Sequence, residues 1–132
     1  MPYRADFKES PWKYQLVCGA TFVIGTEATN AITVNVQLTG QNGEDIGARG
    51  SVRWYLSGDA NGDTLAAAAN GGVAAGTDGV VKAITTGQDG WATSESDGDI
   101  DVVITDSTAR TVYLVLVLPD GSLAVSTAVT FT

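Results

Sequence analysis

The sequence predicts an all-β domain, an antiparallel two-sheet sandwich of about seven strands with an extended N-terminal arm. Three observations predict it. Apolar residues alternate with polar ones over several stretches of five to nine residues, the period of a half-buried strand. Turn-forming pairs such as Asn-Gly and Asp-Gly separate those stretches at intervals of roughly 8–12 residues. No segment of helical period runs long enough to stand alone.

The elements follow in order. Gln15 to Ile24 reads as an edge strand. Ile32, Val34, Val36 and Leu38 alternate with Thr33, Asn35 and Gln37, and the turn Gln41-Asn42-Gly43-Glu44 closes that strand. Val52, Trp54 and Leu56 alternate with Arg53 and Tyr55 in the next. Asp59 to Gly79 is rich in Gly, Ala and Asn and reads as mostly loop, with Leu65 to Ala69 long enough for one helical turn at most. Strands resume at Val80–Thr85, turn at Gly87-Gln88-Asp89-Gly90, and continue through Trp91. After Asp97-Gly98, Ile100, Val102 and Ile104 share one face. Thr111 to Leu118 is nearly all apolar, as a central strand covered on both faces would be. Pro119-Asp120-Gly121-Ser122 makes a hairpin turn, and Leu123 to Phe131 alternates as a last strand. This is the pattern of an immunoglobulin-like sandwich, with Trp54 at a central core position and no disulfide beside it. The division expected is an arm and edge strand over residues 1–25 and a sandwich over 26–132.

Composition narrows the function. At 132 residues the chain has room for one domain, and 44% hydrophobic against 17% charged residues is globular composition. No apolar run approaches the roughly 18 residues of a membrane span. Met1 to Ser10 carries Arg4, Asp6, Lys8 and Glu9 with no apolar stretch, so no secretory signal is expected. A net charge of −8 excludes direct nucleic-acid binding as the expected role, because phosphates require clustered Lys and Arg. The charge is uneven. Residues 1–18 hold Arg4, Lys8 and Lys13 against Asp6 and Glu9, a balance of +1, while residues 19–132 hold four cations against thirteen acids, a balance of −9.

The first 25 residues also hold Tyr3, Phe7, Trp12, Tyr14 and Phe22, five of the ten aromatics in the chain. Pro2 and Pro11 discourage helix there. Aromatics and Arg dominate binding hot spots. Tyr3, Arg4, Phe7, Lys8, Trp12, Lys13 and Tyr14 are therefore the expected binding residues. Packing of this arm on its own body stays open as the alternative.

Chemistry is looked for with little result. The chain has no histidine, which excludes Ser-His-Asp and Cys-His arrangements, and the lone Cys18 excludes an internal disulfide. Zinc lacks ligands. No glycine-rich stretch leads into a phosphate-binding helix. Asp59-Ala60-Asn61-Gly62-Asp63 begins like a calcium loop, but Thr64 stands where a glycine belongs and Asn70 where the bidentate glutamate belongs. Asp97, Asp99 and Asp101 form a second acidic group at alternate positions. Both read first as solvated turns. The expectation is no enzyme, no cofactor and no metal.

Two resemblances rest on these residues. Ile32 to Thr39, Gln41-Asn42-Gly43 and Ser51 to Leu56, with the closing hairpin Tyr113 to Thr132, resemble a bacterial immunoglobulin-like domain, which implies fold alone. Ser51-Val-Arg-Trp-Tyr-Leu-Ser57, Gly76-Thr-Asp-Gly79, Ser94 to Asp101 and Tyr113 to Leu123 resemble small structural proteins of tailed bacteriophages, similar to capsid decoration or cement proteins. That resemblance implies a virion protein on the outer capsid surface, assembled in the host cytoplasm. It implies the major capsid protein as partner, self-association on the shell, and no role for nucleic acid or membrane. The other reading kept is an immunoglobulin-like binding module of a tail or surface protein that recognises carbohydrate or a receptor.

Overall fold

The computed structural model describes residues 16–132. The seven residues expected to bind a partner lie outside them. Ten strands and no helix are found among the described residues: β1 Gly19–Ile24, β2 Ala31–Thr39, β3 Ser51–Ser57, β4 Val73–Ala75, β5 Val80–Thr85, β6 Asp89–Thr93, β7 Asp99–Thr105, β8 Arg110–Val117, β9 Leu123–Val125 and β10 Val129–Phe131. They form two antiparallel sheets packed as a β-sandwich. One has the order β1-β2-β7-β4; the other runs β10-β8-β3-β6-β5, with β9 also paired to β8. Among the described residues no helix is long and apolar enough to cross a membrane.

The alternation in the sequence maps onto the core. Ile32, Val34, Val36 and Leu38 of β2 and Ile100, Val102 and Ile104 of β7 face Val52, Trp54 and Leu56 of β3 and Val112, Leu114 and Leu116 of β8, all buried. Each such aliphatic side chain contributes about 1.5–3 kcal/mol on burial. Trp54 is fully buried, and its indole N–H donates to the Trp91 carbonyl at 3.2 Å. Its cross-strand partner is Gly90. A Cβ on Gly90 would run into the Lys82 carbonyl oxygen, where β5 bulges between Ala83 and Thr85.

Ten strands replace about seven for local reasons. The edge strand expected within 15–24 is β1, paired along its length with β2. The Gly/Ala-rich loop contains β4, which closes the free edge of β7. No helical turn forms at 65–69; Ala66 and Ala69 instead donate backbone bonds to Leu56 and Gly87. The last expected strand divides into β9 and β10 because Ser126 interrupts it. Its hydroxyl accepts the Leu114 N–H at 2.9 Å, and its own N–H donates to the Leu114 carbonyl. The pairing register with β8 shifts by one residue across this point. Val129 and Phe131 stay in the core, but Ala124 packs inward in place of Leu123, and Val125 is only half-buried.

Trp54→Ala is expected to cost about 3–5 kcal/mol in chemical denaturation, since it empties the centre of the core. Gly90→Ala is expected to destabilise as well, while Gly43→Ala, in a turn with open space around it, has only its positive φ to contend with. An unchanged denaturation midpoint for Trp54→Ala would remove that ring from its structural role.

Candidate functional site

Two constellations stand out on opposite faces of the sandwich. The first is a groove of about 590 Å³ on the outer face of the six-stranded sheet. Its floor follows from strand alternation. Trp54, Leu56 and Ala92 point inward, so Arg53, Tyr55 and Trp91 point outward. Val117, Arg53, Trp91 and Lys82 are successive cross-strand partners and form one row across β8, β3, β6 and β5. Trp91 is 49% exposed with a cationic side chain on each neighbouring strand. Such neighbours suit cation–π contact.

The wall of the groove is the loop 59–65. Asp59 holds it in shape: Oδ1 accepts the N–H groups of Asn61 and Asp63, each at 3.0 Å, and Oδ2 accepts the Thr64 hydroxyl. The backbone N–H of Asp63 leads these bonds in drawing the Asp59 carboxyl below its ordinary range. The carboxylate that opened a calcium-like motif is thus satisfied by its own loop. Tyr55 donates its hydroxyl to the Gly62 carbonyl at 2.6 Å and ties the wall to the floor. Burial raises the Tyr55 phenol, and the nearby Asp63 and Asp59 charges raise it further, so it stays protonated. Arg53 pairs with Asp89 at 2.8 Å, and that guanidinium leads in drawing the Asp89 carboxyl down. Leu65, 56% exposed, rims the opening.

The second constellation is acidic and sits on the four-stranded sheet. Asp78, Asp99 and Asp101 bring carboxylate oxygens within 4.8 Å of one another. Asn35, the register partner of Asp101, donates to Asp101 at 2.6 Å and to Asp99 at 3.1 Å. Thr77 donates to the other Asp101 oxygen at 2.7 Å. Burial works to raise the Asp101 carboxyl, but the bonds from Thr77 and Asn35 outweigh it and the net shift is downward. Burial raises the Asp99 carboxyl, Asp78 raises it further, and the Asn35 bond only partly opposes them. Of the acidic group expected at alternate positions, Asp99 and Asp101 do share a face. Asp97 instead turns back to accept the Asp99 N–H at 3.2 Å. Asp78 takes its place, brought over by the turn between β4 and β5.

The groove residues escape a reading along the chain because they come from four separate pieces of it, β3, the loop 59–65, β6 and β8. Tyr55 was visible as the alternate member of its strand and Trp91 as a residue following a turn; their nearness was not. Cys18 is half-buried, and its thiol donates to the Leu16 carbonyl at 3.6 Å. No protein-family model matches the chain, and no curated protein matches it.

The pH dependence has a definite sign. A carboxyl whose folded pKa lies above its unfolded value contributes stability at low pH and loses it as pH rises through the folded value. Asp99→Asn is therefore expected to raise Tm by about 2–4 °C near neutral pH. The gain should vanish at about pH 3, where the carboxyl is protonated anyway. A gain of equal size at both pH values in calorimetric scans would show that charge is not its source. Calcium added to chelator-treated protein is expected to leave Tm unchanged, because both Asp101 oxygens already accept hydrogen bonds. A tight site would add a few kcal/mol by mass action, and a clear rise in Tm would assign the acidic cluster to a cation.

Proposed function

We propose that this protein is a structural component of a tailed-phage virion, bound to the outer surface of the head and stabilising it, with no catalytic role. The observation that carries the reading is the contrast between the two parts of the sequence. The first 18 residues are slightly basic and rich in aromatics, while residues 19–132 carry a balance of −9. A closed acidic sandwich facing solvent, with a basic aromatic segment to grip a shell, fits the resemblance to decoration proteins. The major capsid protein is the proposed partner, and Tyr3, Arg4, Phe7, Lys8, Trp12, Lys13 and Tyr14 are the proposed contacts.

The immunoglobulin-like character of the sandwich belongs to the same proposal. Neighbouring strands β1, β2, β7 and β4 follow the order of strands A, B, E and D, and β10, β8 and β3 follow G, F and C. Trp54 sits where strand C of such domains buries a tryptophan. The β5–β6 hairpin extends the sheet beyond β3, but it follows β4 in the chain, a departure from the variable-type order.

A second reading, a binding module for carbohydrate or a receptor, is favoured by the groove, whose Trp91 and Tyr55 lie beside the hydrogen-bonding Arg53 and Asp89.

Attachment through the N-terminal segment has a direct test in co-sedimentation with heads assembled from the cognate major capsid protein. Burying one aromatic contributes only about 1.5–3 kcal/mol, so Trp12→Ala should weaken binding without abolishing it. Replacing Arg4, Lys8 and Lys13 together by Glu should weaken it more, and Lys82→Ala should matter less. Removal of residues 1–14 should end sedimentation with heads. A truncated chain that sediments as well as the full one would place attachment on the sandwich.

A further inference from the structure

We propose that the outer edge of β1 is a docking edge for a second copy of the same chain, the two β1 strands pairing antiparallel across a two-fold axis centred on Phe22. The inference goes beyond the virion reading and does not depend on it.

β1 is the edge that the fold leaves unguarded. Among the described residues no strand pairs with its outer side, since it begins the order β1-β2-β7-β4. Natural edges are blunted by shortness, by charge or by a bulge. β4 and β10 are short, and β5 carries Lys82 and a bulge. β1 has none of these: it runs six residues, Gly19–Ile24, with no charge and no proline, in unbroken register with β2. Its side chains are incompletely covered as well. Val36 and Val34 of β2, the register partners of Phe22 and Ile24, are fully buried. Phe22 and Ile24 themselves pack on the core but stay half-buried, and Val23 on the outer face is 66% exposed.

The ladder fixes which backbone groups face the open side. Gly25 donates to the Thr33 carbonyl at 2.9 Å, continuing the pairing of Ile24 with Val34. Bonded positions alternate along an antiparallel pair. Gly19, Thr21 and Val23 therefore turn their backbone groups toward β2, and Ala20, Phe22 and Ile24 turn theirs away. A second β1 centred on Phe22 engages all of the latter, with Phe22 opposite Phe22 and Ala20 opposite Ile24, in about six hydrogen bonds. The inner face then sets apolar residues against apolar ones, and the outer face sets Thr21 opposite Val23. Charge identifies the occupant. Residues 19–132 carry a balance of −9, so two copies repel wherever acids meet, and β1 offers a contact without any charge. A foreign strand would be chosen by complementary charge, and β1 presents none to read. A contact this small is transient in solution. Copies held close on one surface reach a local concentration that free copies do not.

The test uses the full chain with Cys18→Ser, which removes disulfide-linked dimers. Sedimentation velocity from about 10 µM to about 1 mM is expected to show a monomer passing toward a dimer. Amide hydrogen exchange at Ala20, Phe22 and Ile24 should slow over the same range, while Thr21 and Val23 keep their rates. Thr21→Lys with Val23→Lys sets like charges opposite each other on both sides of the axis and should raise the dissociation constant about tenfold or more. Thr21→Lys with Val23→Glu sets opposite charges there and should keep the dimer. Thr21 and Val23 are both exposed, and equal thermal melts for the two variants separate lost pairing from lost folding. A chain that stays monomeric at about 1 mM overturns the proposal. So do edge amides already protected in the dilute monomer, which would show that a segment of the same chain covers β1. So does a dimer that the two variants leave intact or weaken alike, which would rule out this pairing.

Discussion

The fold depends on where the side chain of Trp54 goes. Its indole fills the space between the sheets and bonds to the carbonyl of Trp91, on the neighbouring strand β6. That placement fixes the phase of β3, and because side chains alternate along a strand, it fixes the other face too. With Trp54 inside, Arg53 and Tyr55 must face out. With Gly90 opposite it, Trp91 must face out beside them. A slip of one residue would bury an arginine and expose the core tryptophan. The groove is therefore the reverse side of the packing that makes the sandwich stable.

Electrostatics act locally in a molecule with a large net charge. Several of the acids described are held by backbone N–H groups or hydroxyls in their own turns. Asp59, Asp97 and Asp120 each accept an N–H from a residue two positions ahead, at 3.0, 3.2 and 2.9 Å. These bonds satisfy turn donors that strands leave unpaired, so the acidic residues serve as turn chemistry before they serve as surface charge. Asp99 differs from these, since the fold places it beside other carboxylates and brings it the side-chain amide of Asn35.

Much of this was legible in the sequence. β2, β3, β7 and β8 are long and strongly periodic, and their inward residues are the ones alternation picked out. The Gly43, Gly98 and Gly121 turns adopt the positive φ that their pairs announced. Less regular features were hidden for physical reasons. β4 has only three residues of Val and Ala and is defined by its partner β7, not by its own propensity. The tight turn just before β2 is made by Thr29 and Asn30, which take φ of 53° and 65°, and a β-branched residue there gives no turn signal. The break at Ser126 depends on a hydroxyl replacing a backbone carbonyl as acceptor, which no periodicity encodes. Asp78 joins Asp99 and Asp101 across about twenty residues of chain, a nearness that only the β4–β5 turn creates. The seven residues expected to bind a partner lie outside the described residues.

The edges of the two sheets carry a last consequence. An open sandwich leaves unpaired N–H and C=O groups along its outermost strands, an invitation to pair with the edge of another molecule. Here β4, β9 and β10 are three residues each, too short to template much pairing. Of the two six-residue edges, β5 carries Lys82 near its centre and a bulge between Ala83 and Thr85 that breaks the regular ladder, while β1 pairs regularly with β2 along its length. Three of the four sheet edges thus discourage pairing with another molecule. Copies brought together along those three edges can remain separate folded units, without zipping into a continuous sheet.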